Sequence, residues 1–358
     1  MPRRLLALAT AVVLFAGETD AAAPKIAVVA PDQGPLAILG DQVRAGARFA
    51  ARAGGAELVE IGEACTEGGD ESIASAIRAS GATAAIGFLC NEDLQATLPA
   101  LADAGVAALT LSARSGVLME DALKKGWPLF RLAPAPGMEA EAATDIIVAH
   151  WAAEPFALID DGTIHARELV EAVRIKLEEN GMKPVFVDTY RPAQEQQIGL
   201  VRRLAKAGAT RIFVGGDRGD MAVIQRDARA EELPLTFLGG ETMMAADGPV
   251  PLPEGAQAIV LPLDGATKAS AALADEMKAD DIAAEGYVLP AHAAVTLLTE
   301  ATAASEKAGV PLIETLSSET FPTVLGTIGF GADHELRTNP YRLMEWTGSH
   351  FVPVTESN

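Results

Sequence analysis

The chain is short of aromatic residues, of cysteine, of positive charge and of long apolar runs. Phe, Trp and Tyr make up 5% of its 358 residues, so the core has to rest on Ala, Val, Leu and Ile. Lys and Arg number 28 against 49 Asp and Glu, a formal charge of −21. Such an acidic surface repels phosphate backbones and anionic lipid, which disfavours nucleic-acid and membrane-surface roles. The most apolar stretch, Leu5 to Ala16, falls well short of the roughly 20 residues of a bilayer-spanning helix. Phosphate-loop and nucleophile-elbow motifs are missing too. The five histidines, His150, His165, His292, His334 and His350, are scattered, and nothing spells a metal site or calls for a cofactor. These absences weigh against an enzyme.

What is present begins with the compartment. Arg3 and Arg4 precede the apolar run, and Ala21, Ala22 and Ala23 follow it, the layout of a cleavable secretory signal. A signal peptide is therefore expected over residues 1–23, with Pro24 opening the mature chain. Its loss removes Arg3, Arg4, Glu18 and Asp20, two charges of each sign, so the net charge stays at −21. The mature chain is long enough for two domains. In an oxidising compartment the two cysteines, Cys65 and Cys90, favour one disulfide over two free thiols. A Cys/His metal site is the rival, but no histidine lies near either in sequence.

Short β-branched runs alternate with Ala-rich helical stretches. Ile26 to Ala30 is continuously apolar, as in a strand buried on both faces. Further strands are expected at Ala56 to Ile61, Ala84 to Phe88 and Val106 to Leu111, with helices between them at Asp41 to Gly54, Asp70 to Gly81 and Leu94 to Ala104. After a proline-rich joint, Ala133 to Gly137, the pattern restarts. Helices are expected at Ala140 to Trp151 and His165 to Asn180, and strands at Phe156 to Ile159, Val185 to Tyr190, Arg211 to Val214 and Thr236 to Leu238. It breaks again near Leu261-Pro262, and a helix from Tyr287 to about Lys307 precedes strand-like pieces at Thr323 to Ile328 and Tyr341 to Trp346. The fold class is α/β: two parallel-sheet units in tandem, helices on both faces, rejoined by late segments.

In open parallel sheets ligands bind beyond the carboxyl ends of the strands. The loops there, Pro31 to Gly40, Leu89 to Asp93, Ser112 to Gly116, Asp160 to Thr163, Gly215 to Gly219 and Gly239 to Thr242, offer Asn91, Ser112, Arg114, Asp160, Asp161, Asp217, Arg218 and Glu241. Asp and Ser at such junctions also serve as ordinary helix caps.

A resemblance runs through the same segments. "KIAVVAPDQGPLAILGDQ" from Lys25 resembles the opening of type I periplasmic binding proteins of the leucine/isoleucine/valine class. "EACTEGGD", "IGFLCNED", "AALTLSA", "FALIDDGTIHARELVEAV", "RIFVGGDRGDM", "TFLGGET", "GYVLPAHAAVTLL" and "TVLGTIGFGADHELRTNPYRLMEW" follow in the order that class shows. Each is weak alone; their order and spacing over the whole mature chain are specific. The resemblance implies two doubly wound lobes, 24–135 with 263–335 and 136–262 with 336–358, joined by three hinge crossings that close on a ligand. It sets Cys65 and Cys90 where the class has its disulfide. It implies a monomer in the periplasm that delivers a small-molecule ligand to an ABC permease and ATPase complex in the inner membrane. A ligand-sensing role for an amide, urea or small organic acid on the same fold is the alternative.

For the site, the resemblance implies that Asn91 and Arg114 stand where the class holds the ligand's α-carboxylate, that Glu241 receives its α-ammonium, and that Ser112 and Ala113 belong to the ligand-binding set. The class has small hydroxyl residues where this chain has Asn91 and Arg114, and a guanidinium would grip a carboxylate through two parallel bonds. Class aromatics match Leu39, His165 and Asp217 here, while Tyr287 keeps an aromatic. His165 and Asp217 beside an aliphatic side chain would be left without partners, so a polar ligand is expected in place of leucine.

Overall fold

The computed structural model describes residues 23–262 and 267–354. The expected signal peptide therefore lies, but for Ala23, outside the described residues. The first unit comprises β1 (Lys25–Ala30), α1 (Ala37–Gly54), β2 (Glu57–Gly62), α2 (Ser72–Ser80), β3 (Ala84–Gly87), α3 (Asn91–Ala104), β4 (Ala107–Thr110), α4 (Gly116–Lys125) and β5 (Leu129–Arg131). The second runs through α5 (Met138–Trp151), β6 (Phe156–Asp160), α6 (Ile164–Glu179), β7 (Phe186–Thr189), α7 (Ile198–Lys206), β8 (Arg211–Val214), α8 (Arg218–Ala230), β9 (Thr236–Gly239) and β10 (Gln257–Val260). The late segments are α9 (Lys268–Ala279), α10 (Val288–Ala308), α11 (Leu312–Ser318), β11 (Thr320–Thr323), β12 (Gly326–Gly329), β13 (Arg342–Trp346) and β14 (Phe351–Pro353).

The first sheet has the order β2-β1-β3-β4-β5 and is wholly parallel. The second repeats that winding as β7-β6-β8-β9-β10, then adds β13 and β14 antiparallel at its edge. The tandem α/β reading therefore holds, with one amendment: the second sheet is mixed, and β11 with β12 forms a separate antiparallel pair.

The apolar run of β1 explains the two-sided burial. Ile26, Val28 and Ala30 join a core with α1 and α10, whereas Ala27 and Val29 join a different core with α2, α3 and α4. Alternate side chains point to opposite faces, so a run without polar gaps needs helices on both. In β6 the division recurs, with Ala157 and Ile159 on one face and Phe156 and Leu158 on the other. The long helix α10, far along the chain, packs on the first sheet and not on the second. The chain passes between the two sheets three times: after β5, after β10 and after β12.

Several boundaries differ from expectation. The first helix begins at Ala37 and not Asp41, so Leu39 lies in its first turn instead of a loop. Arg44 anchors this start, donating to the carbonyls of Ala30 at 3.1 Å and Pro31 at 2.9 Å. Asn91 is likewise the first residue of α3. Cys65 and Cys90 are joined in a disulfide, with Cα atoms 5.4 Å apart.

Candidate functional site

The loop from β4 to α4 is held from below. The Arg131 side chain, 1% exposed, donates to the carbonyls of Ala113 and Ser115, both at 3.3 Å, and pairs with Glu335. The Ala113 amide donates to Thr110 Oγ1 at 3.2 Å, and Ser112 Oγ donates to the Phe88 carbonyl at 3.2 Å. Ser115 caps α4 by accepting from the Leu118 amide. With Ala113 and Ser115 pinned, Arg114 between them is the side chain that projects.

Across the gap stands Glu241, first residue of a single 3-10 turn, Glu241–Met244, after β9. Its amide donates to Glu139 Oε1 at 2.7 Å. Glycine at 240 permits this approach, because a Cβ there would lie 2.3 Å from that same oxygen. Arg218, expected among the cleft's polar groups, instead turns into the protein. It holds the Met243 carbonyl at 2.5 Å and Asp247 at 2.7 Å and stacks on Trp346.

Arg114 and Glu241 meet directly. Nη1 donates to Oε2 at 2.8 Å and Nη2 to Oε1 at 2.7 Å, a two-bond bridge between residues 127 apart in sequence. The Tyr341 hydroxyl donates to Glu241 Oε2 at 2.5 Å and accepts from Arg114 at 3.1 Å. Burial alone would raise the Glu241 carboxyl, but the bonds from Arg114 and Tyr341 outweigh it and hold the group below its ordinary range. The bond to Glu241 in turn keeps Arg114 firmly protonated. Burial, then the Glu241 charge, pushes the Tyr341 phenol up. Glu139 is also raised, chiefly by burial.

Beside this bridge opens a cavity of about 610 Å³, within the range of small-molecule sites. Leu111, Ser112, Arg114 and Glu241 line it, and so do residues of all three crossings: Leu132 to Pro134, Leu261-Pro262 and Pro340. Tyr287, just ahead of α10, closes another side; burial raises its phenol, and the Arg114 charge and then the Ser112 hydroxyl pull the other way.

Of the residues singled out by sequence, Ser112, Arg114, Glu241 and Tyr287 come together around this cavity. Ala113 is buried beneath it. Leu39 is half-buried, while Asn91, His165 and Asp217 are exposed at the starts of α3, α6 and α8; none of the four lines the cavity. Sequence reasoning missed Tyr341, Glu139 and Arg131. Tyr341 was legible only as the start of a strand, and nothing local ties Glu139 or Arg131 to the site.

The sequence profile of the periplasmic binding protein family matches residues 23–350, and the chain belongs to that family. Among its relatives is the leucine-, isoleucine-, valine-, threonine- and alanine-binding protein of Pseudomonas aeruginosa, 27% identical, with 90% of this chain and 89% of that one covered. A solved ABC transporter substrate-binding protein from Desulfitobacterium hafniense in complex with Leu superposes with a TM-score of 0.65 at 18% identity, covering 92% of this chain and 99% of that one. A solute-binding protein of R. palustris in complex with benzoate gives 0.60 at 16% identity, covering 93% and 95%. Relatives of this family are solute-binding proteins and not enzymes.

Proposed function

We propose that this protein is an exported receptor of an ABC importer that captures a small amino-acid-like ligand between two lobes, 24–135 with 263–335 and 136–262 with 336–358. It hands the ligand to a permease and ATPase complex in the inner membrane. The observation that carries this reading is the convergence of Arg114 and Glu241, from opposite sheets, on a cavity walled by all three crossings. One fixed cation and one fixed anion at a single place suit a zwitterion: its carboxylate takes the guanidinium fork and its ammonium takes the Glu241 carboxylate. Leucine and benzoate, bound by two structural relatives, share a carboxylate, which fits Arg114 as the anion anchor.

In this arrangement the two anchors satisfy each other. A ligand enters by exchanging one bridge for two, so it competes with the Arg114–Glu241 pair. Ser112 and Tyr287 add neutral hydrogen-bonding groups on the first-lobe side. The test is mass spectrometry of small molecules released from protein purified from the periplasmic fraction, with the mature N-terminus sequenced in parallel. Release of a carboxylate-bearing amine supports the reading. A protein that carries no solute and gains no thermal stability from amino acids or aromatic acids would overturn it.

A further inference from the structure

At the carboxyl ends of β6, β7 and β8, four aspartates gather around one phenol. Asp160 and Asp161 close β6, Asp217 and Asp220 flank the start of α8, and Tyr190 follows β7. This is where the winding of the second sheet reverses, the crevice between β6 and β8 at which open α/β sheets bind ligands. Asp160, Asp161, Asp220 and Tyr190 are all buried. Yet the Tyr190 hydroxyl has no hydrogen-bond partner, although the residue is only 3% exposed. A buried hydroxyl left unpaired is destabilising, because it has given up its water without gaining a partner. Glycine at 216 makes room for it, since a Cβ there would fall 1.8 Å from the phenol oxygen and 3.2 Å from the Asp161 Cβ.

The carboxylates are not used up. Asp161 spends only Oδ1, on the Thr163 amide and hydroxyl at 2.9 and 2.7 Å. Asp220 spends only Oδ1, on the Ala193 amide at 2.8 Å. Asp217 holds the capping position of α8 but makes no capping bond. Asp160 accepts from Gly162 and Thr189, and its one ion pair among the described residues is with exposed Arg167 at 3.8 Å. Calcium or magnesium would need six or more converging oxygens, and no three of these carboxylates bring their oxygens together. The edge adjoins the Glu241 turn, because Thr242 Oγ1 donates to the Gly216 carbonyl at 2.7 Å.

We infer that this edge is a subsite for an organic cation, an ammonium or guanidinium, which makes the ligand a basic amino acid. Its carboxylate meets Arg114, its α-ammonium meets Glu241, and its side-chain cation sits between the free oxygen of Asp161 and Asp217. That placement draws Asp217 in from solvent and gives the Tyr190 hydroxyl an acceptor. An aliphatic side chain would instead bury these carboxylates without partners. The inference rests on the solute-receptor reading above.

Calorimetry with L-arginine, L-lysine, L-leucine and benzoate tests it, on the wild type and on Asp217→Asn. The Asp217 side chain is exposed and makes no hydrogen bond or ion pair among the described residues, so the variant should unfold at the wild-type temperature. Arginine or lysine is expected to bind at least about tenfold tighter than leucine, with Asp217→Asn erasing about tenfold of that margin. If leucine or benzoate binds best, or if arginine and lysine bind the variant as well as the wild type, the subsite falls and the receptor reading stands. Release of a native solute without a cationic side chain does the same. No binding by any of the four probes, together with no released solute, removes both.

Discussion

Replacing Glu241 by Gln removes the proposed ammonium anchor and the partner of Arg114 in one step, and the two effects have opposite signs. Losing one member of a buried charge pair costs about 2–5 kcal/mol. The Glu241 side chain is 26% exposed, which places it near the low end, about 2–3 kcal/mol. In the unliganded protein the variant also frees Arg114 from its bridge. That pair is half in solvent, with the Arg114 side chain 48% exposed, so its release returns only about 0.2–1 kcal/mol to ligand binding. The net is about 1–3 kcal/mol, or about five- to a hundredfold in Kd. Calorimetry with the solute released from wild-type protein measures it, after a thermal scan has shown that the variant is folded. The same scan should show a drop of a few degrees, because Tyr341 and Arg114 both lose a charged acceptor. A Kd within twofold of wild type would mean that Glu241 serves only to tie the lobes together.

Three further outcomes follow from other parts of the molecule. Native, unreduced protein should show no alkylatable thiols; breaking the Cys65–Cys90 bond should cost about 3 kcal/mol on the chain-entropy account, read by urea unfolding. Arg131→Met strands the Glu335 carboxylate and unpins the carbonyls beside Arg114, so stability should fall by about 3–5 kcal/mol, measured by urea unfolding. Burial, opposed by the Leu89 and Cys90 amides, lifts the Glu63 carboxyl to about 7. Because its folded pKa lies above the unfolded one, its contribution to stability is complete below about pH 4.5 and is lost as pH rises toward 7. The loss should be roughly 2–3 kcal/mol, and urea unfolding of wild type against Glu63→Gln between pH 4.5 and 7.5 isolates it, with parallel curves refuting it.

The sequence by itself determined the alternation of strands and helices. Ile26 to Ala30 has no polar gap and must be covered on both faces, and glycines at 55, 81 and 105 end their helices in the left-handed conformation. Arg211 to Val214 was bounded to the residue for the same local reason. The segments that escaped were the short ones, Leu129–Arg131, Gln257–Val260 and Phe351–Pro353. Length alone does not separate them from Arg211–Val214, which also has four residues; none of the three follows a helix legible in the sequence, and only hydrogen bonds to a neighbouring strand mark them as strands. The helices α4, α9 and α11 escaped too. The charged groups of the site were legible one by one, but not their pairing. Arg114 with Glu241 and Tyr341, and Arg131 with Glu335, join residues 100 to 227 positions apart. Which charge neutralises which is fixed by how the crossings bring the two sheets together, and an ion pair between distant segments leaves no local pattern along the chain.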